Sequence, residues 1–247
     1  GDPETGRLVS AGMDLTALVI HRVISVTEMR SLKIRQLREI YFRWLNSVKA
    51  EGADVLAALP RKNVVFLSNH QTYFTEAIAL YDLLYIVHGL PYEDPHLRFS
   101  AATETMKKNL LTKVLTYAGG VTFRRSFREA GREVNRPVDL EGISKVEEAI
   151  ATGWLLHFPT GTTQKDAPIR PGIAQLLHRT KPVAVPVRVD GFRDLLLHKQ
   201  FPGRTGKKAT IRFFPPMDLG DFYAAPFDKE RGRKVIEDLG KLILDPA

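Results

Sequence analysis

Asn63-Val64-Val65-Phe66-Leu67-Ser68-Asn69-His70 is a short, almost unbroken apolar run that ends in polar side chains. A strand with one wet face alternates apolar and polar residues. A run without alternation fits a strand covered on both faces, the usual condition in a parallel sheet. The sequence after it predicts a helix, with Phe74, Ala77, Ile78, Tyr81, Leu84, Tyr85 and His88 on one stripe and a stop at Gly89 and Pro91. His88 on that stripe reads as a core or edge histidine. Further on, strands are expected at residues 97–101, 119–123, 154–158, 183–187 and 209–214. Helices are expected at residues 107–117, 143–152, 173–179 and 228–244. Strands that alternate with helices predict an α/β fold, a largely parallel sheet flanked by helices on both faces.

Upstream of this unit, residues 13–50 read as helical. The clearest period runs through Leu37, Ile40, Tyr41, Trp44, Leu45 and Val48, in steps of three and four, with Arg30, Lys33, Arg35, Arg38 and Arg43 among them. Two readings stay open: a helix packed on the domain, or a basic amphipathic helix on anionic lipid headgroups. Pro60, in the segment 51–62, breaks the pattern. The expected organisation is therefore an N-terminal helical segment, 1–60, and an α/β domain, 61–247. The longest apolar approach, residues 13–26, is interrupted by Asp14, His21 and Arg22, and is too short and too charged to span a bilayer. It also lacks the pattern of a signal peptide.

The chain has 247 residues, of which 44% are hydrophobic and 26% charged, which excludes a disordered or polytopic membrane protein. It has no cysteine, so a disulfide scaffold, a thiolate metal site and a cysteine nucleophile are excluded. The 36 Lys and Arg residues exceed the 28 Asp and Glu residues, giving a net charge of +8 and a pI near 9.7. That balance points to an anionic partner: nucleic acid, anionic lipid, a phosphorylated substrate or an acidic carrier protein.

Four strand-end segments carry the candidate chemistry. Histidine follows the buried strand directly in Ser68-Asn69-His70-Gln71-Thr72-Tyr73-Phe74-Thr75-Glu76, and so sits at the carboxyl edge where open α/β sheets place ligands. Histidine suits general-base work at neutral pH, and its second nitrogen needs an orienting partner. Glu76 reaches back to it if the chain turns sharply, with Thr72 capping the turn. In Gly119-Gly120-Val121-Thr122-Phe123-Arg124-Arg125 the paired arginines at a strand end suit a phosphate, and Arg128, Arg132 and Arg136 follow. Phe158-Pro159-Thr160-Gly161-Thr162-Thr163 is a loop whose backbone N–H groups fit a developing oxyanion. Val185-Pro186-Val187 is a strand with a proline.

In this order and spacing the four segments resemble the lysophosphatidate and glycerol-3-phosphate acyltransferase superfamily. Its motifs are N-H-x-x-x-x-D, G-x-I-F-I-x-R, F-P-E-G-T-R and a V-P-V strand. The resemblance covers about residues 60–190. Asn69 and His70 match the first motif, and residues 119–125 match the second, with Arg125 on the family arginine. Phe158, Pro159, Gly161 and Thr162 match the third, and residues 185–187 match the fourth. The departures that matter are in the first and third motifs. Thr75 stands at the aspartate position with Glu76 one residue later, Thr160 replaces the glutamate, and Thr163 replaces the arginine. A bacterial branch of the superfamily shares the N-H-Q-T-Y-F and F-P-x-G-T-T wording.

The resemblance implies acyl transfer from acyl-CoA or acyl carrier protein to the hydroxyl of a lyso-lipid acceptor such as lysophosphatidate, in membrane phospholipid biosynthesis. It implies His70 and Glu76 as the catalytic pair. Asn69, Thr75, Arg124, Arg125, Thr160, Gly161, Thr162 and Thr163 are then substrate-binding. No cofactor or metal is expected, and the expected location is peripheral, on the cytoplasmic face of an anionic membrane. A non-catalytic lipid- or acyl-carrier-binding relative is the competing reading. Nucleic acid is not an expected partner, because no recognised nucleic-acid motif or run of stacking aromatics accompanies the charge. A serine hydrolase is disfavoured by the lack of a G-x-S-x-G elbow.

Overall fold

The computed structural model describes residues 46–72, 75–87, 97–103, 120–124, 128–129, 132–133, 137, 139–195 and 206–244. The strands are β1 (Ser47–Glu51), β2 (Val64–Ser68), β3 (Leu97–Ala102), β4 (Gly120–Phe123), β5 (Arg128–Glu129), β6 (Arg132–Glu133), β7 (Trp154–His157), β8 (Val183–Asp190) and β9 (Lys208–Phe213). The helices are α1 (Thr75–Tyr81), α2 (Leu140–Thr152), α3 (Gly172–Thr180), α4 (Phe192–Leu195), α5 (Gly220–Ala224) and α6 (Lys229–Ile243). Seven strands form one sheet in the order β1-β9-β8-β2-β7-β3-β4. From β8 to β4 every pairing is parallel, whereas β9 runs antiparallel to β8 and carries β1 parallel to itself. The largely parallel α/β architecture expected from the strand–helix alternation is present.

β2 sits near the middle of the sheet because all five of its residues are buried. Its even-numbered side chains face one layer. There Phe66 meets Trp154 edge-on with ring centroids 5.4 Å apart and Phe213 at 6.1 Å, under α1. Val65 and Leu67 face the other layer, against Val146 and Ile150 of α2, Leu177 of α3 and Leu239 of α6. Two packed layers of this kind are what an unalternating strand requires. The helix ends carry local signals: the carboxylates of Asp139 and Asp228 accept from the N–H groups of Gly142 and Arg231 and so cap α2 and α6.

Three sequence expectations need correction. The helical reading of residues 13–50 fails at its end, because residues 47–50 belong to β1; the α/β sheet therefore begins by residue 47, before the expected boundary at 61. β1 is a half-exposed edge strand paired to β9, and Arg212 on β9 binds Glu51 at 2.7 Å. Its pairing partner lies far along the chain, so no local period announces it. The stripe after β2 also needs amending. Ala77, Tyr81, Leu84 and Tyr85 are buried, but Ile78 is exposed at 39%, and α1 widens into a π-helical turn at Asp82–Val87. Tyr81 at the end of α1 and Tyr85 in the wider turn both bond the backbone of Leu97 at the start of β3. Lastly, the short helices α4 and α5 lie on either side of β9, where the sequence predicts no element. Phe74, His88, the helix expected at 107–117, Gly119 and residues 1–45 lie outside the described residues.

Candidate active site

The parallel strands deliver their C-terminal ends to one edge, and β2 ends there between β7 and β8. Just past β2, the side-chain amide of Asn69 donates from Nδ2 to the Val189 carbonyl at 2.9 Å and accepts at Oδ1 from the Val189 N–H at 2.7 Å. Asn69 thereby makes the next rung of the β2–β8 ladder with its side chain. Both polar atoms of its amide bond the backbone of β8, so Asn69 positions the turn that follows.

The turn that follows is built around one carboxylate. Glu76 Oε1 accepts from His70 Nδ1 at 2.9 Å and from the N–H groups of Gln71 at 2.8 Å and Thr72 at 2.9 Å. Its Oε2 accepts from the Thr72 hydroxyl, and that hydroxyl in turn accepts from the Thr75 N–H at 3.0 Å. Thr72 therefore caps α1 as its position before the helix suggests. Glu76 is 2% exposed and His70 15%. Burial on its own would raise the Glu76 pKa. The hydrogen bond and positive charge of His70, with the two Thr72 donors, outweigh that and hold it below its ordinary 4.5. Glu76 is thus ionised at neutral pH, and the bond that it accepts from Nδ1–H fixes the imidazole proton there, leaving Nε2 with a free lone pair. Thr75 is buried at 3%, one position from the carboxylate, and its backbone N–H serves the cap.

The loop after β7 closes over this pair. Phe158 stacks on the His70 ring with centroids 4.1 Å apart and planes inclined by 23°. Gly161 takes a left-handed φ of 65° and donates its N–H to the Phe158 carbonyl at 3.0 Å. That N–H is spent on the turn, which corrects its expected role at an oxyanion. Thr160 is buried, and its hydroxyl donates to the Thr162 carbonyl at 3.0 Å. Thr162 Oγ1 accepts from the Gln164 N–H at 3.3 Å. The N–H groups of Thr162 and Thr163 remain as the loop's candidate oxyanion donors.

Arg124 follows β4 and is exposed; its backbone N–H donates to Asp139 at 2.7 Å. That bond first, and the one from Gly142 second, lower the Asp139 pKa. Arg125 and Arg136 lie outside the described residues, and of Arg128 and Arg132 only the backbone is described, in β5 and β6.

Several site features had no role assigned from sequence. Gln71 Oε1 accepts from the Phe192 N–H at 2.9 Å, and Arg193 Nη2 donates to the Thr163 carbonyl at 2.5 Å. Both partners come from the β8–α4 turn, too distant in sequence for any motif to flag. At the end of β7, His157 Nδ1 and Ser100 Oγ are 2.8 Å apart. Burial pushes the His157 pKa down to about 4, so this histidine is neutral at pH 7. Among the described residues no group of three or more His, Asp or Glu side chains converges to hold a metal ion.

A buried carboxylate, an imidazole oriented by it, and a turn of backbone N–H groups beside the ring are the parts that a general-base group-transfer site at a parallel sheet edge requires. The chain belongs to the Acyltransferase family, whose profile matches residues 47–190, and it is an acyltransferase. Among solved structures it is similar to the 1-acyl-sn-glycerophosphate (LPA) acyltransferase PlsC from Thermotoga maritima. Identity is 17% over 92% of this chain and 95% of that one, with a TM-score of 0.48. No curated protein sequence matches the chain.

Proposed function

We propose that this acyltransferase moves a fatty acyl group from an acyl thioester, acyl-CoA or acyl carrier protein, to the hydroxyl of a lyso-lipid such as lysophosphatidate, within membrane phospholipid synthesis. The observation that carries the reading is the 2.9 Å contact of His70 Nδ1 with the buried carboxylate of Glu76. His70 Nε2 takes the proton of the acceptor hydroxyl as its oxygen attacks the thioester carbonyl. Glu76 balances the imidazolium that forms. The N–H groups of Thr162 and Thr163 receive the tetrahedral oxyanion. Collapse breaks the carbon–sulfur bond, and the departing thiolate takes the proton back from Nε2. The reaction closes with an ester, a free thiol and a neutral His70. Arg124, with Arg125 beside it in sequence, supplies positive charge for a substrate phosphate.

No described helix is long and apolar enough to cross a membrane. The basic stripe of residues 35–45 is the proposed contact with an anionic, cytoplasmic membrane surface. The test is transfer of radiolabelled acyl groups from acyl-CoA, and separately from acyl carrier protein, to lysophosphatidate. His70→Ala should lower turnover at least about 10²-fold with an unchanged circular dichroism spectrum. Activity retained in that variant would remove the mechanism and favour a binding protein.

A further inference from the structure

The turn after β8 is tied to the site from several sides. Asn69 holds Val189, Gln71 holds the N–H of Phe192, and Arg193 holds the carbonyl of Thr163. Gly191 makes this turn with φ +77, and a Cβ there would lie 2.2 Å from the Lys208 carbonyl oxygen. Phe192 and Leu195 are fully buried and anchor α4 in the core, while Arg193 between them is exposed. A guanidinium carries five N–H donors in a rigid fork. The Thr163 carbonyl orients that fork without cancelling its charge, and among the described residues no carboxylate forms a salt bridge with Arg193. The result is a pre-positioned cation on the loop that begins with Phe158, the residue stacked on His70.

Position in the sheet sorts the cations of this edge. β8 neighbours β2 directly, whereas β4 stands three strands from β2. Counted across the sheet at about 4.8 Å per strand, β4, which carries Arg124, lies about 14 Å to the side of β2, and β8, which leads into Arg193, about 5 Å. An acceptor that presents its hydroxyl to His70 carries a phosphate ester only a few bonds away. The phosphates of a CoA thioester lie a whole pantetheine arm from the reacting carbonyl. We infer that Arg193 binds the phosphate monoester of the acceptor beside the hydroxyl that His70 deprotonates. This rests on the acyl-transfer reading above and assigns the acceptor class: a phosphomonoester lyso-lipid.

The test pairs equilibrium binding with turnover. The probes are a short-chain, water-soluble 1-acylglycerol 3-phosphate and the matching monoacylglycerol without phosphate, with acyl-CoA as donor. The proteins are wild type, Arg193→Ala, Arg193→Lys and Arg98→Ala, whose arginine sits at the start of β3 on the opposite edge. Arg193→Ala should weaken binding of the phosphorylated probe at least about tenfold, and raise its KM alike. It should leave monoacylglycerol binding and the KM for acyl-CoA unchanged. Arg193→Lys, which keeps charge but loses the fork, should fall between. Wild-type affinity in Arg193→Ala, or an effect on acyl-CoA alone, overturns the assignment. So does an equal loss in Arg98→Ala, which would mean a diffuse basic field. Wild-type protein that binds the phosphorylated probe through Arg193 yet transfers no acyl group would sink the acyl-transfer reading and leave the phosphate contact standing.

Discussion

Replacing Glu76 by glutamine preserves shape and removes one charge. The native carboxylate accepts from His70, from two backbone N–H groups and from the Thr72 hydroxyl. A glutamine oxygen at the Oε1 position can still accept from His70, Gln71 and Thr72. Its NH₂ group then faces the Thr72 hydroxyl, which already accepts from Thr75 and has to reorient. Folding should survive with a loss of roughly 1–3 kcal/mol, the cost of one disturbed buried hydrogen bond. Catalysis should suffer more, because the imidazolium forms only as the acceptor attacks and then lacks its counter-charge. A charge-assisted hydrogen bond is worth roughly 1.5–3 kcal/mol, so kcat should drop about 10- to 150-fold. KM should hardly move, since Glu76 lies behind the imidazole, away from Nε2. The assay is single-turnover acyl transfer at saturating substrate, at neutral pH, beside a thermal melt of the same preparation. Wild-type kcat in a folded Glu76→Gln protein would refute the proposed dyad, and a fall in kcat matched by global unfolding would show only a structural role.

Asn69→Ala strips both polar partners from the buried Val189 backbone and should cost about 2–4 kcal/mol of stability, read by urea unfolding; Asn69→Asp should recover little, because a carboxylate cannot donate to the Val189 carbonyl. Stability should also fall with acid in two overlapping windows. His157 stays neutral in the fold down to about 4, so the unfolded chain takes up protons first and stability drops as pH falls from 6.5 to about 4. Glu76, with its pKa held below 4.5, adds a further loss below that value. Melts of His157→Gln against pH should lack the first window, and an unchanged profile would contradict the burial of that ring. Arg125→Ala should raise the KM for a phosphorylated substrate more than Arg132→Ala does, whereas equal effects would indicate a general basic field. Sedimentation with vesicles should show binding that grows with anionic lipid and weakens with salt, and equal partitioning onto neutral vesicles would count against the basic stripe as the docking element.

How much of this was legible in the sequence follows from the range of each interaction. β2, β7 and β8 announce themselves because burial on both faces writes itself into consecutive residues. Their ends mark the reacting edge without further information. The contact of Glu76 with His70 is legible because the two lie six residues apart, within one turn and one cap. The clamp of Asn69 on β8 is not legible, because its partner is 120 residues distant, and the contacts of Gln71 and Arg193 are likewise set by tertiary structure. β1 was drawn into a helix because Val48 happens to continue a helical period, while its real partner, β9, is set by tertiary pairing. Gly161 was read as a donor since a glycine-containing turn offers N–H groups. In the folded turn its own N–H is already committed to Phe158.

The side-chain rung that Asn69 adds to the β2–β8 ladder has a mechanical consequence. The main chain leaves the sheet at Ser68, yet the next residue is still clamped to the backbone of β8 at both of its polar atoms. The imidazole is therefore hung one residue beyond a fixed point, and the thermal excursions of its backbone should resemble those of a strand. Little reorganisation then precedes each proton transfer. The main chain beneath the base is thus fixed by the sheet, and only the ring's orientation is left to Glu76 and to Phe158 of the loop after β7.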